Sequence, residues 1–315
     1  MHILFLNRHN HSAESTSVAA VARTMGHSLA QDFEDIPDLI VCIDWTKSME
    51  DKVKLAYTLG IPRVLIKLEP SVVIPEYQKL KVSALFTAVM EMGRPFSQPV
   101  YAYPQGWETS FFERAGRLDR LVAINANKYS FVPGELYSLR ASAYSKISSL
   151  DLYGRGWDRS VGDNLLKLAK ELQIAILGGS PVTFACVKNL YRPPKNFMGV
   201  SETKLETLSR YKYSLVIENS LEYMTEKLID SLMAGAMPIY VGPDVEKLGI
   251  PPALYYSASA SLESVKKSVA RARDASWKDW HDAARKWISD PASEEIWEVR
   301  KLNRRLVNEI EQIAS

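Results

Sequence analysis

Residues 211–242, YKYSLVIENSLEYMTEKLIDSLMAGAMPIYVG, hold a strand, a helix and a second strand in one short unit. Ser214–Ile217 is a continuous apolar run, as expected for a strand of a parallel sheet buried on both faces. It runs directly into Glu218-Asn219-Ser220, and polar residues at the carboxyl end of such a strand lie where these sheets bind ligands. Thr225 is expected to cap the next helix, Leu228, Ile229, Leu232 and Met233 form its apolar face, and Gly235 ends it before Pro238 opens the following strand. Glu226 and Lys227 fall in the first helical turn. Glu suits the macrodipole there, whereas Lys opposes it by ~0.3–1 kcal/mol. A diphosphate gripped by Lys227 and the helix amides would explain the cation, and Glu226 could then accept from ribose hydroxyls. A solvated Glu-Lys pair explains the same two residues equally well.

The same alternation extends outward. His2–Leu6, Asp38–Ile43, Arg63–Leu68 and Ala84–Met90 are apolar runs separated by helix-like stretches such as Thr16–Met25 and Ser48–Leu59. Gly93–Gly106 carries three prolines and two glycines, the signature of a loop or junction. The alternation restarts at Leu121–Ala126, a helical stretch near Gly134–Ser148 and Leu150–Tyr153, and continues through Ser214–Ile217, Pro238–Val241 and Ala253–Tyr256. Two α/β runs with a break between them predict two doubly wound α/β domains facing across a cleft. The boundaries are set at residues 1–117, 118–290 and a C-terminal helix, 291–315, returning to the first domain. Ser261–Ser315 reads as helical with one break near Asp290-Pro291. It holds Trp277, Trp280, Trp287 and Trp297, four of the seven tryptophans. These are expected to pack inward. Interleaved Lys and Arg leave a membrane-surface helix as the sharper alternative, giving peripheral membrane contact through the C-terminal helices.

With Lys+Arg 39 against Asp+Glu 37, the net charge of +2 gives no bulk case for nucleic-acid binding. Cys42 and Cys186 are too few for a disulfide framework or a Cys-based zinc site and read as buried thiols. The start MHILFLNRHNHS lacks a basic segment before its apolar run, and no run reaches membrane-spanning length, so a cytoplasmic protein is expected. His9 and His11 follow the first strand; they fit a cleft contact, a metal-binding pair or a plain loop.

The string YKYSLVIENS…YMTEKLIDSLMAGAMPIYVGP resembles the donor-binding signature of the α-1,3-fucosyltransferase family, glycosyltransferase family 10. That family shows a Tyr-Lys-Phe/Tyr strand, Glu-Asn-Ser, Tyr-x-Thr-Glu-Lys, then Ala-Gly-x-x-Pro before a strand ending in Gly. Met224 replaces a usual Val, and the spacer Leu221-Glu222 is short. LDLYGRGW (Leu150–Trp157) resembles the family's strand ending in Gly-Arg-Gly, and Phe197–Ser209 its lead-in to the donor motif. GRGWDR lacks the third glycine of a dinucleotide fingerprint, which disfavours a dehydrogenase.

The resemblance implies a GT-B fold, two facing Rossmann-like domains, and an inverting transfer of fucose from GDP-fucose to a hydroxyl of an acceptor oligosaccharide or glycoconjugate, typically of N-acetylglucosamine. By resemblance Glu69, ending the strand RVLIKLEP, is the general base, with Glu76 its rival. Arg155 contacts the donor phosphates, with Arg159 its competitor. Glu218, Asn219, Tyr223, Thr225, Glu226 and Lys227 complete the donor site. No metal or other cofactor is required where cationic side chains carry the phosphate charge, and a divalent ion remains open as a stimulant. Another nucleotide sugar, or a non-catalytic nucleotide- or glycan-binding protein of the same fold, are the alternatives.

Overall fold

A computed structural model of the chain describes residues 1–8, 16–78, 80–91, 106–189, 194 and 196–314. The apolar runs pair into two five-stranded sheets in which all pairings are parallel. The first contains β1 (His2–Asn7), β2 (Ser28–Ala30), β3 (Leu39–Ile43), β4 (Arg63–Lys67) and β5 (Ala88–Glu91), in the order β2-β1-β3-β4-β5. The second contains β6 (Leu118–Ile124), β7 (Leu150–Tyr153), β8 (Tyr211–Ile217), β9 (Met237–Val241) and β10 (Tyr256–Ser257), in the order β7-β6-β8-β9-β10. Each sheet, counted from its own first strand, has the order 2-1-3-4-5. The strand order therefore reverses between β1 and β3, and again between β6 and β8, and ligand crevices form at such points.

Alternation along β1 explains why the run HILFL carries no polar face. Ile3 and Phe5 join the cluster on one side of the sheet, and Leu4 joins the cluster on the other with Ile40, Cys42 and Leu65. Both cysteines are buried free thiols. β2 has three residues and one exposed position, too short to read from an apolar pattern. The run Ala84–Met90 yields a strand only from Ala88, because a short helix, Leu80–Ser83, and a turn precede it. Most of Gly93–Gly106, together with His9 and His11, lies outside the described residues.

The C-terminal region is four helices: Leu262–Asp274, Trp277–Ile288, Pro291–Trp297 and Val299–Ala314. Beyond the break at Asp290-Pro291, further breaks fall at Ala275-Ser276, where Ser276 caps the next helix, and at Glu298. The tryptophans pack inward. Trp280 and Trp297 are buried in the second sheet's core, and Trp277 and Trp287 pack against it. The Trp280 indole donates to the Leu254 carbonyl at 2.9 Å, and that of Trp277 to the Lys212 carbonyl at 3.1 Å. Packing wins because a buried indole that finds an acceptor loses little on leaving water. Among the described residues no helix is long and apolar enough to cross a membrane.

The chain passes from the second core to the first between Trp297 and Leu302. Leu302, Leu306, Val307 and Ile310 are buried in the apolar cluster of the first sheet, and His27 Nε2 lies 2.7 Å from Glu311 Oε1 on the same helix. Leu306→Ala is expected to cost ~2–5 kcal/mol of stability, read as a lowered denaturant midpoint, since this helix roofs one face of the sheet.

Candidate active site

β8 ends at Ile217, and Glu218 follows it fully buried. Its carboxylate accepts from the Thr225 hydroxyl at 2.6 Å and the Thr225 amide at 3.1 Å. Glu218 thus ties the strand end to the loop before the helix Lys227–Met233 and lines none of the cavities below. Thr225 is not the helix cap expected of it. The cap position falls on Glu226, because the Thr225 hydroxyl is engaged with Glu218 and its contact to the Lys227 amide is a long 3.5 Å. Lys227 opens the helix, and its Nζ donates to the Thr225 hydroxyl at 2.7 Å with Glu218 Oε2 3.6 Å away. The buried carboxylate offsets the unfavourable placement of this lysine at a helix start.

Asn219 accepts from Arg140 Nη2 at 2.8 Å, while Arg140 Nε donates to the Ile217 carbonyl at 2.8 Å. Arg140 comes from the helix Tyr137–Lys146 and is buried, so it braces the end of β8 from the side. Glu226 accepts from Lys204 Nζ at 2.6 Å, and the same ammonium donates to Asp230 at 2.6 Å. Burial raises the Glu226 carboxyl, but Lys227 and Lys204 outweigh it and hold it low. Asp230, fully buried with only a share of one lysine, is pushed up by burial.

The Gly-Arg-Gly turn follows β7. Gly154 has φ of +139°, and a Cβ there would overlap the Asn125 carbonyl at the end of β6, so only glycine fits. Arg155 is exposed and faces the same cavity as Asn219, Tyr223, Thr225, Glu226 and Lys227. Its rival Arg159 is occupied elsewhere, packing on Gly156 and donating to the Asn127 carbonyl at 3.0 Å.

In the first sheet, β4 delivers Glu69. Asp44, at the end of β3, accepts from the Leu68 and Glu69 amides at 2.8 and 3.0 Å and from the Tyr77 hydroxyl at 2.9 Å. Asp44 has φ of +55°, a conformation Asp tolerates better than most side chains, and it fixes the turn that presents Glu69. Glu69 Oε2 is buried with no hydrogen-bond partner among the described residues, and burial pushes the carboxyl above the usual range.

Glu69 is a shared wall. A cavity of about 760 Å³ is lined by Asn7, Arg8, Asp44 and Glu69 on one side and by Lys128, Tyr129, Tyr137 and the helix Val161–Leu177 on the other. A second, of about 480 Å³, joins Glu69 to Lys128, Arg140, Arg155, Lys204 and the β8–helix loop. A third, of about 160 Å³, lies between Glu69, Tyr77 and Tyr223. Glu76 lines none of the three. Of the residues read from sequence, Glu69, Arg155, Asn219, Tyr223, Thr225, Glu226 and Lys227 meet at one cavity, with Glu218 behind them. Asp44, Lys128, Arg140 and Lys204 are additional. Among the described residues no group of three or more His, Cys, Asp or Glu is arranged to hold a metal ion.

The chain has the GT-B fold. It resembles a crystal structure of an alpha1,3-fucosyltransferase with a TM-score of 0.51 at 12% identity, covering 99% of this chain and 90% of that one. It resembles Anabaena HepE in complex with UDP with a TM-score of 0.55 at 10% identity, covering 99% of this chain and 100% of that one. No family model matches. In sequence, the chain is 55% identical over 42 residues to a putative fucosyltransferase-like protein of Arabidopsis thaliana. It is 54% identical over 43 residues to human alpha-(1,3)-fucosyltransferase 4. Each match spans 13% of this chain and 8% of the relative.

Proposed function

We propose that the protein is an inverting glycosyltransferase that moves fucose from GDP-fucose to a hydroxyl of an acceptor glycan. The observation that carries this reading is Glu69 at the wall shared by two cavities, one of them ringed by Arg155, Lys227 and Glu226. The donor diphosphate would sit against Arg155 and Lys227, whose forked guanidinium and point charge suit phosphate oxygens. Lys204 fixes the Glu226 carboxylate that would accept from ribose hydroxyls. Asn219 and Tyr223 would line the nucleotide.

The acceptor would enter the larger cavity. Its hydroxyl oxygen forms a bond to the anomeric carbon on the face opposite the phosphate. The bond from that carbon to the phosphate oxygen breaks, the electron pair leaves with GDP, and Glu69 takes the hydroxyl proton. Burial raises Glu69 toward working pH, as a base requires. Cations held in place before reaction stabilise the charge that develops on the leaving group.

A UDP-sugar donor is the second reading, favoured by the likeness to HepE, a protein crystallised with UDP. A thermal-shift panel of GDP-fucose, GDP-mannose and UDP-sugars separates the two. GDP-fucose is expected to give the largest stabilisation, and a response to UDP-sugars alone would overturn the donor assignment. Arg155→Ala and Lys227→Ala should each weaken GDP by about 10–100-fold in calorimetry, the range for charge-assisted hydrogen bonds. Release of GDP from GDP-fucose separates an enzyme from a non-catalytic binding protein.

A further inference from the structure

Leu68, Glu69 and Lys128 are the residues that line both large cavities. Two belong to the first sheet. Lys128 comes from the second, in the loop after β6, and so reaches the proposed base from the opposite wall. Its backbone is fixed relative to Arg155. The neighbouring Asn127 donates its amide to the Arg155 carbonyl at 2.9 Å, its side chain donates to the Gly156 carbonyl at 2.9 Å, and its carbonyl accepts from Arg159.

The side chain is a different matter. Arg140, Lys204 and Lys227 are each committed to protein acceptors. Lys128 is exposed on its four-carbon stem and makes no hydrogen bond or ion pair within 4 Å among the described residues. Its charge is nonetheless felt. After the burial that raises Glu69, Lys128 is the strongest influence, and it acts in the lowering direction. Lys128 also lines the cavity that holds Arg155, Glu226 and Lys227, which places it within reach of the phosphate grip.

We propose that Lys128 is a cation shared between base and donor: without donor it faces Glu69, and when a nucleoside diphosphate sugar binds it turns to the phosphate oxygens. This rests on the donor reading above and adds a consequence to it. Donor binding withdraws from Glu69 the cation that shares both of its large cavities and leaves a diphosphate nearby, so the carboxylate becomes the stronger base once the sugar is in place.

The test is a double-mutant cycle on the full chain, read as GDP affinity by calorimetry, with UDP as the parallel probe. Lys128→Met is expected to weaken the nucleotide by about 10-fold or more, Lys128→Arg to retain most of the affinity, and Glu69→Gln to tighten it. Lys128→Met should cost at least about threefold more in the Glu69→Gln background than in the wild type, because Glu69 no longer competes for the lysine. Independent sites multiply to within about twofold. A cycle that multiplies in this way, or a Lys128→Met protein with unchanged affinity, overturns the shared role. A wild-type protein that binds neither GDP nor UDP overturns the donor reading instead.

Discussion

Replacing Glu69 with Gln is expected to lower turnover by about 10²–10⁴-fold, the usual worth of a positioned general base, while GDP binding is tightened. The substitution preserves shape and removes only the ability to take a proton. The backbone beneath the side chain stays held by Asp44, whose carboxylate accepts from the Leu68 and Glu69 amides. The loss should therefore fall on kcat and not on folding or donor affinity. The pH profile gives the second readout. The base must be ionised to act, so activity falls as pH falls through the carboxyl's pKa. Burial holds that pKa above the ordinary carboxylate value of about 4.3. The wild-type acid limb should lie correspondingly high, and the residual activity of the Gln protein should lack it. Near-normal turnover in that protein would move the base elsewhere.

The same geometry shows what sequence could and could not carry. A parallel-sheet strand buried on both faces is a nearly continuous apolar run, so β1, β3, β4, β7 and β8 were legible, and a polar residue just beyond each run was legible as a ligand-facing position. Asn219 follows that rule, and so does Glu69, although its role as base comes from the family resemblance; both line the same cavity. Asp44 follows DLIVCI in the same way and carries the same signal, but its role depends on meeting the amides of Leu68 and Glu69 across two strands, which no local pattern encodes. Arg140 and Lys204 lie on helices, where a charged residue ordinarily reads as a solvated face. Their burial comes from tertiary packing against the end of β8 and against Asp230. The tryptophans show the converse. Their spacing suited either a membrane or a core, and the structure packs them on the second sheet's core, with acceptors at Leu254 and Lys212 for Trp280 and Trp277.

Lys204→Met is the variant with the largest expected effect on stability. One ammonium, donating to both Glu226 and Asp230 at 2.6 Å, serves two carboxylates, and Asp230 Oδ1 is already buried without a partner among the described residues. Removing one member of a buried charge cluster leaves the others uncompensated and typically costs ~3–5 kcal/mol. The pH dependence follows from the signs. With Lys204 gone, burial and the charge of Glu226 raise the Asp230 carboxyl further above its unfolded value, while Glu226 keeps Lys227 and loses one of the two cations that hold it low. A group whose folded pKa is raised favours the native state at low pH and loses that advantage as pH rises through the folded value. The deficit relative to wild type should therefore be smaller at pH 5 than at pH 8, measured as denaturant midpoints. A deficit that is flat with pH, or largest in acid, would mean that Asp230 and Glu226 are not held ionised by this lysine. Lys204→Arg should recover part of the stability, since it restores the charge and loses only the compact fit between the two acids.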